Sequence, residues 1–288
     1  MTDAIACNRA ADRVRDLGLQ HRYSGGALRV QGVCHDGDAP GTVAIRRGNN
    51  GGVVIHCHKC DGNADFLAAI ETASGKDLEA WSRAWLLTAD RDTISVEVEE
   101  QAGVVESAVV RRDAPADRPA DRPHAFDVVG WTDGRELART SVTVTGPATT
   151  LAELEGTPEP AVVVPNASDL TWARVRLSDE TVAALPSQLA QVPDAQARAV
   201  VWSALIDGVH GATVSPDAFL DVFDAAWPHE SNSSILTRVA AYAEHRIVPW
   251  FVPRAAQDET LDRLNRDGTG LLERSEPGTT ESLAAARL

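Results

Sequence analysis

Two short segments rich in cysteine and histidine carry the strongest chemical signal in the sequence. The first is Cys34-His35, and the second, about twenty residues later, is the HCHKC stretch at residues 56–60. A Cys-x-x-Cys turn brings two thiolates toward one point, and a facing turn can supply the remaining ligands of a tetrahedral Zn2+ site. Each segment follows a predicted strand, as expected for two facing knuckles. We therefore predict one zinc ion bound by Cys34, Cys57 and Cys60.

The fourth zinc ligand has several candidates. His35, His56 and His58 lie beside the cysteines, whereas Cys7 is distant in sequence. Because side chains alternate along a strand, His56 and His58 fall on the face opposite Cys57. His35 is therefore preferred, although adjacent ligands are geometrically awkward. The competing interpretation of Cys-x-x-Cys is a redox motif, but such motifs open a helix in a βαβ unit, a pattern that this sequence does not show.

The segments around the cysteines predict a small β-ribbon. Strand patterns occur at 27–33, 42–45 and 53–56, with an Asn-Gly turn signal between the last two. A short amphipathic helix is predicted before the ribbon, at 9–18. Two further short helices are predicted after residue 65, where the apolar period becomes helical.

The remaining residues predict first strands and then helices. Alternating patterns between 93 and 177 favour an antiparallel β-sandwich, with a hairpin turn at Asp133-Gly134. A proline-spaced connector at 113–123 interrupts the strands. After Ser178, a good helix cap, successive helices with short connections favour a helical array. These helices are predicted at 180–190, 195–209, 216–227, 234–248 and 259–272.

The fold class predicted from these patterns is an α+β multidomain chain. It consists of a zinc ribbon at 1–63, a short helical connector at 64–92, an antiparallel β-sandwich at 93–177 and a HEAT-like α-helical array at 178–288.

Composition and charge restrict the classes of function. The chain has 288 residues, 43% of them hydrophobic, with a formal net charge of -15. Residues 1–63 hold eight Lys and Arg against six Asp and Glu, whereas the remainder holds 19 against 36. Any nucleic acid must therefore bind the N-terminal part. The sequence has no apolar run of membrane-spanning length and no secretion signal at its start, so we expect a cytoplasmic protein with reduced cysteines and no membrane partner.

The N-terminal part resembles a known zinc domain. The stretches GVCHDGDAPGTVAI at 32–45 and GVVIHCHKCDGNADFL at 52–67 are similar to the zinc-binding domain of bacterial and bacteriophage DNA primases. The first knuckle departs from that family's Cys-Pro-x-His pattern, because the histidine directly follows the cysteine. The resemblance implies contact with single-stranded DNA, with Arg46, Arg47 and Lys59 as phosphate partners. The alternative is a solvated basic edge on a structural ribbon.

From about residue 64 to the end, the chain resembles another family. Segments 65–87, 118–124 and 164–177 are similar to the rear of actinobacterial aminopeptidase N, a zinc metallopeptidase. The resemblance implies the end of the catalytic domain at 64–92, followed by a β-sandwich and a truncated part of a C-terminal helical domain. That family binds its zinc through His-Glu-x-x-His on a helix.

The sequence does not contain that family's catalytic motifs. The nearest string is His229-Glu230-Ser-Asn-Ser233, in which serine replaces the second histidine. The Gly-x-Met-Glu-Asn loop is also missing, because Met1 is the only methionine. The isolated His124 is expected on the surface or in the core.

The sequence therefore supports a zinc-binding composite or truncated protein without catalytic residues. Two alternatives stay open: an accessory, partner-dependent piece of a metalloaminopeptidase, and a scaffold that binds a protein or peptide on the concave face of the helical array.

Overall fold

A computed structural model describes two compact units, which divide the chain into Met1–Ala89 and Asp90–Leu288. The residues that it describes are 21–24, 27–31, 40–47, 53–57, 75 and 78–288. The helix predicted at 9–18 and the first helix predicted after residue 65 lie outside these residues. The predicted domain boundaries at 63, 92 and 177 stay predictions.

The first unit contains a four-stranded antiparallel sheet. Its strands are β1 (His21–Ser24), β2 (Ala27–Gln31), β3 (Pro40–Arg47) and β4 (Val53–Cys57), and they lie in sequence order across the sheet. A meander of this kind needs only short connections between neighbouring strands. The strands coincide with the three patterns found in the sequence, with β1 in addition. Helix α1 (Glu79–Leu86) belongs to the same unit and matches the second of the two short helices predicted after residue 65.

The second unit begins with two sheets packed face to face. The first sheet has the order β11-β5-β6-β9 and the second has the order β10-β7-β8. Every strand pair in these sheets is antiparallel except β11 with β5. The strands are β5 (Thr93–Gln101), β6 (Val104–Asp113), β7 (His124–Thr132), β8 (Arg135–Val144), β9 (Ala148–Thr150), β10 (Val162–Pro165) and β11 (Arg174–Val175).

Alternating apolar side chains fill the space between the sheets. One sheet contributes Ile94 and Val110, and the other contributes Phe126 and Val142 to the same buried cluster. The outward positions of β5 carry polar residues, as expected for a strand with one face in the core. The middle of the chain is therefore a β-sandwich, as its sequence pattern predicts.

Helices follow the sandwich and cover part of the far face of its second sheet. They are α2 (Asp179–Gln188), α3 (Ala195–His210), α4 (Pro216–Ala226), α5 (Ser233–Tyr242), α6 (Val248–Phe251), α7 (Gln257–Arg274) and α8 (Thr280–Ala285). Trp131 and Val164 of the second sheet share one apolar cluster with Trp202 and Phe223 of the helices. Strand β10 and the second half of β7 are thus buried on both faces, whereas β8 keeps one face exposed. The sandwich and the helices share a core.

The sequence predicts that helix α5 continues as an α-helix to Val248, and the structure differs from this prediction. It ends at Tyr242 and passes into a π-helical turn, Ala243–Ile247, before α6. The physical reason is Pro249, which has no N–H group to donate to the preceding turn. Helix α8 is also an addition to the predicted set. The helical part of the predicted α+β class is present, whereas its HEAT-like character stays a prediction.

Candidate functional site

The strand topology of the first unit bears directly on the predicted zinc site. Strands β2 and β4 lie on either side of β3 and are both antiparallel to it, so they run in the same direction. Val30, Val43 and Cys57 form one row across the sheet. The two ends of this row lie two strand spacings apart, or about 10 Å. The chain leaves β2 and β4 at the same edge, three residues before Cys34 and three residues before Cys60.

This backbone arrangement fits a metal site supplied by the ends of two parallel strands on either side of β3. Cys57 is the last residue of β4, whereas Cys34, His35, Lys59 and Cys60 lie outside the described residues. Three thiolates and one imidazole are a common ligand set for structural Zn2+. The ligand assignment stays a prediction.

Two of the three predicted DNA contacts lie at another part of the sheet. Arg46 and Arg47 pair with Val54 and Val53, at the far end of β3 from the row that contains Cys57. At about 3.3 Å per residue, the two arginines are about 10–13 Å along the strand from that row. The third predicted contact, Lys59, lies between Cys57 and Cys60 in the sequence and outside the described residues.

The described residues hold no group of three or more His, Cys, Asp or Glu side chains that could bind a metal ion. The second unit instead contains a buried polar cluster around Asp92. Arg122 Nη1 donates to Asp92 Oδ1 over 2.6 Å, and His124 Nε2 lies 3.1 Å from Asp92 Oδ2. Arg112 Nε lies 3.6 Å from the same carboxylate. The side chains of Asp92 and His124 have no exposed surface.

Secondary structure explains why these groups meet. Asp92 precedes β5, Arg112 is near the end of β6 and His124 begins β7, so all three lie at one end of the sandwich. Arg122 belongs to the proline-spaced connector, which contains no helix or strand. The connector therefore places a buried cation against Asp92 as well as joining two strands.

A threonine extends the cluster from the other side of His124. Thr171 Oγ1 lies 2.7 Å from His124 Nδ1. The Asn166 side chain holds the threonine in place, because its Oδ1 accepts from the N–H groups of Leu170 and Thr171 and its Nδ2 donates to the Thr171 carbonyl. Asn166 has φ 55°, a left-handed conformation that asparagine tolerates.

Threonine, histidine and aspartate in this order have the connectivity of a hydrolytic triad. The burial of His124 argues against that chemistry, because a substrate has no access to its ring. Burial lowers the pKa of His124, against the opposing hydrogen bond and charge of Asp92. A neutral histidine between Thr171 and Asp92 is therefore a structural connector. His124 is a core histidine, one of the two settings expected for it.

The string His229-Glu230-Ser-Asn-Ser233 is not a metal motif in the structure. His229 ends a 3-10 turn, and Ser233 begins α5, so the residues between them are not helical. Both Glu230 oxygens accept from Arg198, at 2.8 Å and 2.7 Å. The glutamate is therefore one half of a buried ion pair. The string therefore does not have the helical register that a His-Glu-x-x-His motif requires.

Sequence reasoning missed the Asp92 cluster and the Arg198 ion pair. Asp92 and Arg122 are 30 residues apart and meet only through strand pairing, which no local pattern reveals. The sequence offers one signal for such a cluster, which is the position of Asp92 directly before an apolar strand. A charged residue that is buried at such a place requires a partner.

With this geometry established, comparison with known proteins identifies a relative. The larger part of the chain is similar to aminopeptidase N. It is 30% identical to the aminopeptidase N of Streptomyces lividans over 236 residues, which cover 78% of this chain and 27% of that protein. The chain thus spans about a quarter of the length of this relative. The predicted resemblance to aminopeptidase N is confirmed.

The N-terminal part gains no comparable support. No protein-family model matches the chain, and the resemblance to primase zinc domains stays a prediction. Among the described residues, no helix combines the length and apolar character that a membrane crossing requires.

Proposed function

We propose that this chain is an aminopeptidase N-like protein that binds one structural zinc ion and hydrolyses no peptides on its own. Cys34, Cys57 and Cys60 bind the zinc, and His35 is the fourth ligand. Three thiolates and an imidazole close the tetrahedral shell, which leaves no position for a substrate or an activated water. Zinc bound in this way stabilises the fold of the ribbon.

The observation that carries the zinc proposal is the direction of the strands. Strands β2 and β4 end at the same edge of one sheet, and each cysteine-containing segment follows one of these ends. Ligands that are more than twenty residues apart in sequence can meet there without a long connection. The ribbon is small, so a bound metal compensates for the small apolar core that it can bury.

The absence of catalytic motifs from the sequence supports the proposal that the chain hydrolyses no peptides on its own. The 288 residues contain no His-Glu-x-x-His and no Gly-x-Met-Glu-Asn sequence. The two histidines of the former motif must lie one helical turn apart so that both can reach the metal. The nearest string has one histidine, and its glutamate is paired with Arg198. The chain therefore contains neither the ligands nor the general base of this chemistry.

A peptidase assay tests directly whether the chain hydrolyses peptides. Purified wild-type protein is incubated with alanyl and leucyl p-nitroanilides in the presence of added Zn2+, and the Cys57→Ser variant is assayed in the same way. We expect no turnover above the buffer rate from either protein. Chelator-sensitive turnover that co-elutes with the protein in gel filtration would contradict the proposal and favour the accessory-peptidase alternative.

The primase resemblance adds a proposal about a partner, in which Arg46, Arg47 and Lys59 bind single-stranded DNA. Its support is the basic balance of residues 1–63 in an otherwise acidic chain. Fluorescence anisotropy with a labelled oligonucleotide tests it, since phosphate contacts weaken steeply with added salt. A lack of salt-sensitive binding at low ionic strength would remove the DNA partner.

A further inference from the structure

Helices α4 and α7 meet through a cluster of charged side chains that the proposed function does not use. Arg263 of α7 donates from Nη2 to Asp221 over 2.7 Å and from Nε to Asp224, both on α4. The side chains of Asp224 and Arg263 are 31% and 29% exposed. The arginine thus neutralises part of an acidic face of α4.

A third aspartate, Asp267 of α7, stands beside this ion pair. Asp267 lies within hydrogen-bonding reach of Asp224. Asp224 Oδ1 and Asp267 Oδ2 are both buried, and neither has a donor among the described residues. Two carboxylate oxygens are both acceptors, so a hydrogen bond between them requires one proton.

The electrostatic environment keeps that proton bound near neutral pH. Burial raises the pKa of Asp267 to about 7, and the hydrogen bond and charge of Asp224 act in the same direction. The positive charges of Arg263 and Arg266 oppose the shift. A pair of carboxyl groups that cannot both ionise is the expected result when like charges share a partly buried site.

We propose that Asp224 and Asp267 share one proton and that this bond is a pH-dependent clasp between α4 and α7. When the pH rises above neutrality the proton is lost, and two adjacent carboxylates then repel each other across the helix interface. Helix α7 also packs against α8, and a Cβ at Gly268 would lie 3.1 Å from the Ala285 carbonyl. The loss of the proton therefore loosens α7 and α8 together.

Other titratable groups around α7 do not supply this contact. The elements that pack against α7 are α4, α6, α8 and the 3-10 turns 227–229 and 254–256. Helix α6 has no titratable side chain. Apart from the cluster itself, these elements carry Asp217, His229, Arg254 and Glu281. The charged groups that shift the pKa of Asp267 are Asp224, Arg263 and Arg266.

The direction of the pH dependence follows from the raised pKa. A carboxyl group that binds its proton more tightly in the closed state stabilises that state below its ordinary pKa of 3.8. The stabilisation is lost as the pH rises through about 7. One proton released on opening changes the opening equilibrium by about tenfold between pH 6 and pH 8.

Hydrogen–deuterium exchange of the full-length protein tests the proposal. Exchange in peptides from 257–288 is measured at pH 6 and pH 8 and corrected for the intrinsic rates. We expect about tenfold less protection at pH 8 in the wild type and no pH effect in Asp267→Asn, whose amide donates to Asp224 at both pH values. Asp221→Asn is the matched control, since it also contacts Arg263 but should keep the wild-type pH effect.

Several results would overturn the clasp. If wild-type protection from exchange is the same at pH 6 and pH 8, the two carboxyl groups share no proton. The same conclusion follows if Asp267→Asn loses as much protection between pH 6 and pH 8 as the wild type does. If Asp267→Asn does not fold, Asp224→Asn provides the same comparison, because its amide can donate to Asp267.

Discussion

The pair of Asp92 and Arg122 is a fully buried ion pair in the second unit. Their side chains are 0% and 1% exposed, and the carboxylate also faces His124 and Arg112. An ion pair removed from water stabilises little in total, but removal of one partner leaves an uncompensated buried charge. Removing one partner should therefore lower the free energy of unfolding by far more than the intact pair contributes to it.

Asp92→Asn tests this contact at the scale of one residue. We expect the free energy of unfolding of the second unit to fall by about 3–5 kcal/mol, because Arg122 loses its counter-charge. Urea unfolding followed by tryptophan fluorescence gives this value. Glu97→Gln is the control, since Glu97 and Arg111 are 59% and 44% exposed and such pairs contribute less than about 1 kcal/mol. Equal effects from the two changes would refute the assignment.

His124 makes the same cluster sensitive to acid. Burial lowers its pKa, so the folded protein prefers the neutral ring. A histidine with a depressed folded pKa contributes stability above its ordinary value of 6.5, and this contribution is lost as the pH falls through the folded value. Between pH 7.5 and pH 5, the contribution of His124 to wild-type stability should therefore decrease.

The variant His124→Asn isolates this part of the pH dependence. We expect its free energy of unfolding, relative to that of the wild type, to rise between pH 7.5 and pH 5, because the variant lacks the histidine that prefers to stay neutral in the folded state. Urea unfolding at both pH values measures this difference. His245→Asn is the matched control, because that side chain is 68% exposed, and its difference from the wild type should stay the same at both pH values. An equal change in both variants would show that His124 is not the group that titrates.

Among the elements, the hairpin between β7 and β8 was the most fully predictable. Asp133-Gly134 is a sequence signal for a turn with two positive φ angles, and the observed values are 49° and 72°. Gly134 has a second constraint that the sequence does not reveal. A Cβ at this position would lie 2.9 Å from the Gln191 carbonyl oxygen.

Gly134→Ala should therefore destabilise the protein through both strain and a clash. We expect a loss of about 2 kcal/mol or more, measured from the urea midpoint. Gly103→Ala separates the two causes, since Gly103 has φ 76° with nothing within 4 Å. That variant should lose only about 1 kcal/mol. If Gly103→Ala costs as much as Gly134→Ala, contact with Gln191 has no role.

The helices show which local signals suffice and which do not. Ser215 caps α4 and Asn232 caps α5, and both helix starts were predictable because a side-chain oxygen satisfies free N–H groups. The π turn before Pro249 was not predictable from apolar period alone, because the proline changes hydrogen bonding without changing the pattern. The contact between Asp224 and Asp267 depends on the packing of two helices that are far apart in sequence.

For the whole molecule, the order of elements was predictable and the way they share a core was not. The strands and helices of the second unit lie close to their expected ranges, because both periods are clear in the sequence. Part of the second sheet, β10 and the second half of β7, is however buried on one face by the first sheet and on the other by the helices. The alternation of apolar and polar residues along a strand shows that one face is buried. It does not show which later element covers the other face.

The candidate zinc site could be predicted for its residue types but not for its geometry. Cysteines 34, 57 and 60 were identified by spacing alone, and the strand directions add that their segments leave the sheet at one edge. The choice of a fourth ligand depends on side-chain direction around the knuckles, which spacing does not determine. Similarity to aminopeptidase N covers 78% of the chain and does not address this choice.

The zinc content of the purified protein shows whether the three cysteines bind a metal ion. Protein purified without added chelator is analysed for zinc by mass spectrometry, for the wild type, Cys57→Ser and Cys7→Ser. We expect about one zinc per chain in the wild type and in Cys7→Ser, and almost none in Cys57→Ser, because a lost thiolate opens the tetrahedral site. Zinc-free wild-type protein, or equal zinc in Cys57→Ser, would contradict this expectation.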